Sequence, residues 1–97
     1  MHNVNKLDAK KSLNLTIKFN ESQHDKAIRI MNDLNFDSTN HHLISDDTVC
    51  HCTFLKSIYR VEILIDLEFN TIISIQMFTN CREYVYDTLE DLQEDLN

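Results

Sequence analysis

The run YRVEILIDLEFNTIISIQMF, residues 59–78, decides how this chain can fold. Tyr59, Val61, Ile63, Ile65, Leu67 and Phe69 occupy every second position, with Arg60, Glu62, Asp66 and Glu68 between them. Strand side chains alternate between faces, so this is a strand buried on one side. Thr71 to Phe78 continues the pattern, with Ile73, Ile75 and Met77 on one face and Ile72, Ser74, Gln76 and Phe78 on the other. Only Asn70 separates the two runs; asparagine tolerates positive φ, and the pair reads as a tight hairpin.

Immediately upstream, Val49 to Leu55 reads as a further strand. Cys50, Cys52 and Phe54 alternate with Val49, His51, Thr53 and Leu55, and both faces carry apolar atoms, so the inward face stays open. Before it, Asp46-Asp47 reads as a turn, His41 to Ser45 as a short strand and Phe36 to Asn40 as a polar connection. Leu13, Leu15, Ile17 and Phe19 alternate with polar residues and predict a first strand. Asn20, with Gln23 three residues on, offers a helix N-cap. Ala27, Ile28, Met31 and Leu34 follow at helical spacing with His24 in line before them, predicting a helix over 21–35.

Downstream, residues 79–86 read as an irregular or extended lead-in. Val85, Leu89, Leu92 and Leu96 then recur at i, i+4, i+7 and i+11, with Asp87 or Thr88 as cap, predicting a final helix. The order is β-α-β-β-β-β-α. Short loops cannot join parallel strands, so the expected class is α+β, with an antiparallel sheet of three to five strands covered by two helices. Residues 12–97 are expected to form a single domain preceded by a flexible arm, residues 1–11, which has no apolar periodicity.

Ninety-seven residues allow one core. The chain has no Gly, no Pro and no Trp, only two Ala, and ten Asn. Glycine, proline and alanine have GC-rich codons, so this composition points to an AT-rich genome such as a low-GC bacterium or a phage or other mobile element. Without glycine there is no phosphate-binding loop, dinucleotide-binding turn or nucleophile elbow, and no enzyme activity or cofactor is expected. No segment approaches the roughly 20 apolar residues of a membrane helix, and residues 1–12 lack the apolar core of a secretion signal, so a cytoplasmic protein with three free thiols is expected.

Residues 1–29 hold six Lys or Arg against three acids, and residues 30–97 hold three against thirteen, within a net charge of −7. That excess argues against direct binding of nucleic acid or anionic membranes and suits a protein partner with a basic surface. It is concentrated at the end: residues 83–97 contain six acids and no base.

Several clusters invite chemistry. His41, His42, Cys50, His51, Cys52 and Cys81 resemble zinc ligands, but Cys-x-Cys on a strand places both sulfurs on one face about 7 Å apart, with no second pair at the usual spacing, so buried metal-free thiols are expected. If a metal were bound, Cys50, Cys52 and His41 or His42 would hold it. A Cys-His nucleophile, from Cys81 or Cys50 with His24 or His51, lacks a flanking motif. Glu62, Asp66 and Glu68 read as a solvated strand face. Two surfaces remain as partner-binding candidates: the carboxylates Asp87, Glu90, Asp91, Glu94 and Asp95, and an apolar sheet patch of Leu64, Ile72 and Phe78.

These features fit a small acidic binding protein, an inhibitor of another protein of the phage anti-defence (anti-CRISPR-like), DNA-mimic or toxin-neutralising immunity type. The other class is a self-associating structural or chaperone-like module, a homodimer formed through the sheet face.

Overall fold

The structure, a computed structural model, describes residues 21–44 and 46–97; the expected first strand, the residues 1–11 arm and Asn20 lie outside them. The fold is α+β. Helix α1 spans Gln23–Asp33, and five strands follow: β1 Asp37–Ile44, β2 Val49–Lys56, β3 Tyr59–Asp66, β4 Thr71–Phe78 and β5 Glu83–Tyr86. Helix α2, Leu89–Leu96, closes the chain. The strands form one antiparallel meander in sequence order.

Helix α1 begins later than its apolar spacing predicts, because Ser22 is the N-cap: its Oγ accepts from the Asp25 amide at 3.0 Å. The helix ends in a Schellman motif. The Phe36 amide donates to the Met31 carbonyl and the Asn35 amide to the Asn32 carbonyl, with Asn35 at φ 66°. Lys56 donates from Nζ to the Leu34 carbonyl at 2.7 Å, satisfying another terminal acceptor. Ala27, Ile30, Met31 and Leu34 are buried, whereas Ile28 is half-buried.

With no glycine to supply positive φ, five of the described residues adopt it: Asn35, Asp46, Asp47, Ser57 and Asn70. Asn and Asp accept this conformation readily, serine less so. Ser57, at φ 55°, opens the two-residue connection between Lys56 and Tyr59. Ser57→Gly is therefore expected to raise stability by about 0.5–1 kcal/mol and Ser57→Val to lower it by about 1–3 kcal/mol, read from urea unfolding midpoints.

The sheet corrects the sequence reading in four places. β1 is eight residues long and starts at Asp37, absorbing most of the expected polar connection; a register shift between Ser38 and Asn40 breaks the alternation that would have revealed it. β3 ends at Asp66, and a four-residue loop precedes β4, so Leu67, Glu68 and Phe69 leave the strand; Phe69 is 72% exposed. In β4 the pairing runs Leu64 to Ser74 and then Ile65 to Ile72, so Ile73 is a bulged extra residue. The bulge turns Ile72 toward the core and leaves Ile73 53% exposed, reversing the expected faces at this end, while Ile75 and Met77 stay buried as expected. Finally, residues 83–86 form strand β5, which places Val85 69% exposed on the sheet and not on the helix stripe.

The core lies on one side of the sheet. Cys50, Cys52 and Phe54 of β2, Val61, Ile63 and Ile65 of β3, and Ile75 and Met77 of β4 meet the α1 stripe and Leu89 and Leu92 of α2. This settles the inward face of β2.

Candidate functional sites: the acidic helix and a histidine–cysteine cluster

Helix α2 is capped by Thr88, whose Oγ1 accepts from the Asp91 amide at 3.1 Å. Leu89, Leu92 and Leu96 turn to the core, which leaves the carboxylates on the outer face. They are not equivalent. Glu90 forms an ion pair with Lys26 of α1, and that contact holds its carboxyl below the usual range. Asp95 accepts a hydrogen bond from the Tyr86 hydroxyl, whose pKa is pushed up by burial and then by this bond. Asp87, Asp91 and Glu94 make no side-chain hydrogen bond or ion pair with any described residue. Asp91, Glu94 and Asp95 recur at i, i+3 and i+4, one stripe, and with Tyr86 they line an open notch of about 460 Å³. Acids suit the first turn of a helix but not the last, where Glu94 and Asp95 stand with no base beside them. The notch therefore holds negative charge at a cost in helix stability, and it can receive an ammonium or guanidinium group.

The apolar patch is divided. Leu64 and Phe78 are on the outer face of the sheet, while Ile72 packs against the core because of the bulge. Between them the outer face carries a polar row: His51 Nε2 lies 2.8 Å from Glu62 Oε1, Arg60 Nε lies 2.9 Å from Glu62 Oε2, and the Arg60 guanidinium stacks 4.6 Å from the Phe78 ring centroid. The His42 ring meets that of His51 at 4.9 Å. Glu62 is thus held by two cations or donors, and Asp66 accepts from the Phe69 amide at 3.0 Å to shape the loop. Neither carboxylate pairs with the other, and Glu68 sits in the loop, so these three acids form no joint site.

Cys81 is exposed in the turn before β5. The roughly 410 Å³ cleft beside it is lined by residues such as Tyr59, Arg82, Tyr84 and Asp95 and contains no histidine, so the proposed Cys-His pairing is not assembled there. Of the expected pairings the structure brings Cys50 and His24 within 4.8 Å of each other, beside Cys52, whose thiol is pushed up to about 12 by burial with Cys50 alongside.

One arrangement was only partly foreseen. Cys50 and Cys52 point to the same face, as a strand requires, but their sulfurs are 3.6 Å apart and not about 7 Å. The spacing of roughly 7 Å belongs to the backbone positions, and side-chain torsions bring the two Sγ atoms together. His41 is the cross-strand neighbour of Cys52, and its ring stands edge-on to both His24 of α1 and Phe54. His24, His41, Cys50 and Cys52 each offer a ligand atom, all within 4.8 Å of one another. His42, on the opposite face, is excluded. Burial and then nearby His24 lower the His41 pKa, favouring neutral imidazole. The sequence signals were the Cys-x-Cys spacing and His24 in line with the apolar stripe of its helix; the missing link was the β1 register.

No protein-family model, curated protein or solved structure matches the chain. Among the described residues, no helix is long and apolar enough to cross a membrane.

Proposed function

We propose that this is a small non-enzymatic binding protein that inhibits another protein by seating the outer face of α2 on a basic surface. The observation that carries this reading is the notch of Tyr86, Asp91, Glu94 and Asp95, in which two carboxylates have no partner among the described residues. Its geometry favours one or two lysine or arginine side chains of the partner, and the overall charge of −7 steers the encounter. The AT-rich composition suits a protein of a low-GC bacterium, acting as a phage anti-defence, DNA-mimicking or toxin-neutralising protein. The test is capture of a partner from host or phage-infected lysate by wild type and by a variant carrying Asp87→Asn, Asp91→Asn, Glu94→Gln and Asp95→Asn. The wild type is expected to capture a basic protein that the variant loses, while the variant folds with equal or slightly higher stability because like-charge repulsion is relieved. Equal capture by both would reject this reading.

A second reading, self-association through the sheet, draws on the outer face, where no described helix covers Leu64 and Phe78 and Val85 is exposed. A molar mass measured in solution separates the two: a dimer that is lost on Leu64→Asp favours the sheet.

A further inference from the structure

We propose that His24, His41, Cys50 and Cys52 form a closed zinc site that ties helix α1 to the β1–β2 edge of the sheet. The four ligand atoms come from three separate elements and lie within 4.8 Å of one another. A tetrahedral zinc with Zn–S of ~2.3 Å and Zn–N of ~2.0–2.1 Å places its ligand atoms roughly 3.3–3.8 Å apart. The observed Sγ–Sγ separation of 3.6 Å is already within that range. The remaining pairs need to close by no more than about 1.5 Å, which side-chain rotation supplies.

The surroundings of the imidazoles favour the same reading. Ligating histidines as a rule direct their second ring nitrogen at a polar group that fixes the ring. His24 Nδ1 faces an Asp25 carboxylate oxygen at 3.8 Å, and His41 Nε2 is hydrogen-bonded to the Ser38 hydroxyl. This leaves Nε2 of His24 and Nδ1 of His41 for the metal. Two buried thiols alone would be explained as small hydrophobes. Two imidazoles from a helix and a neighbouring strand, converging on the same pair of sulfurs, would not. The ligand set and its geometry select the metal: calcium and magnesium demand oxygen ligands, and a two-iron cluster that takes two cysteines and two histidines divides them between its irons, whereas here all four atoms lie within 4.8 Å of one another, around one ion, as in a tetrahedral zinc site. With four protein ligands there is no open position for substrate, so the site is structural.

This inference uses residues distinct from the acidic notch, and its outcome is independent of that reading. Full-length protein made in zinc-replete medium and purified without chelator should contain one zinc per chain by elemental analysis. Cobalt(II) added to the metal-free protein should give the thiolate charge-transfer and intense visible bands of tetrahedral coordination. His24→Ala, at the half-exposed start of α1, should retain its fold by circular dichroism and bind zinc at least ~100-fold more weakly, given that outer-shell partners alone are worth 10- to 100-fold. The Cys50→Ser/Cys52→Ser double variant should lose the cobalt bands, while His42→Ala and Cys81→Ser keep full zinc content. A folded wild type with substoichiometric zinc and no tetrahedral cobalt spectrum would overturn the proposal. So would zinc affinity unchanged by His24→Ala.

Discussion

Ile63→Ala is expected to lower the unfolding free energy by about 2–5 kcal/mol, measured by urea denaturation. Ile63 sits at the centre of the sheet, opposite Cys52 on one side and Ile75 on the other, and is fully buried. Its truncation removes transfer free energy and leaves a cavity in a close-packed layer between two helices and five strands. Domains of this size are stable by roughly 0.05–0.15 kcal/mol per residue, so the loss is a large fraction of the total. A change below half a kcal/mol would mean that the inward face of β3 is misassigned.

The second large effect distinguishes two positions that are two residues apart, Ile73 and Ile75. Ile75→Ala should cost about 2–5 kcal/mol, because Ile75 is fully buried beside Ile63. Ile73→Ala should cost under about half a kcal/mol, as expected of surface substitutions. A regular strand would put both residues on the same face and give both a similar penalty. The bulge after Leu64 separates them, since it leaves Ile73 without a cross-strand partner and directs Ile72 inward. Comparable losses at Ile73 and Ile75, with none at Ile72, would restore the uninterrupted alternation and remove the bulge.

The contrast shows how far the sequence could be read. The alternation from Tyr59 to Asp66 is strong enough to define β3, its face and its antiparallel neighbours, because apolar residues recur on one side without interruption while the other side is polar except at Leu64. The same rule failed beyond Leu64, where a single extra residue shifts parity and nothing in Thr71-Ile72-Ile73 marks which isoleucine is the insertion. β1 reads as shorter than it is for a related reason: its polar residues and its own register shift hide the period. β5 was hidden because Glu83 to Tyr86 is too short for a period to emerge, and Val85 also fitted the helical stripe. The leucines of α2 and the carboxylates opposite them were legible, being set by spacing within one element. The histidine–cysteine cluster was not, because it depends on where a helix and two strands meet.

The acidic face of α2 is where the functional account is most exposed to test. Electrostatic attraction acts over a screening length of about 10 Å at 0.1 M ionic strength and about 30 Å at 0.01 M, so docking by unpaired surface carboxylates is fast at low salt and slows as salt rises. The decisive measurement is the association rate with the captured partner at those two ionic strengths, for wild type and for the variant with Asp87, Asp91, Glu94 and Asp95 neutralised. A wild-type rate that falls at least tenfold between the lower and the higher salt, and a variant rate that is slower at low salt and nearly flat, would support the acidic helix as the docking surface. Equal, salt-independent rates for both proteins would contradict it.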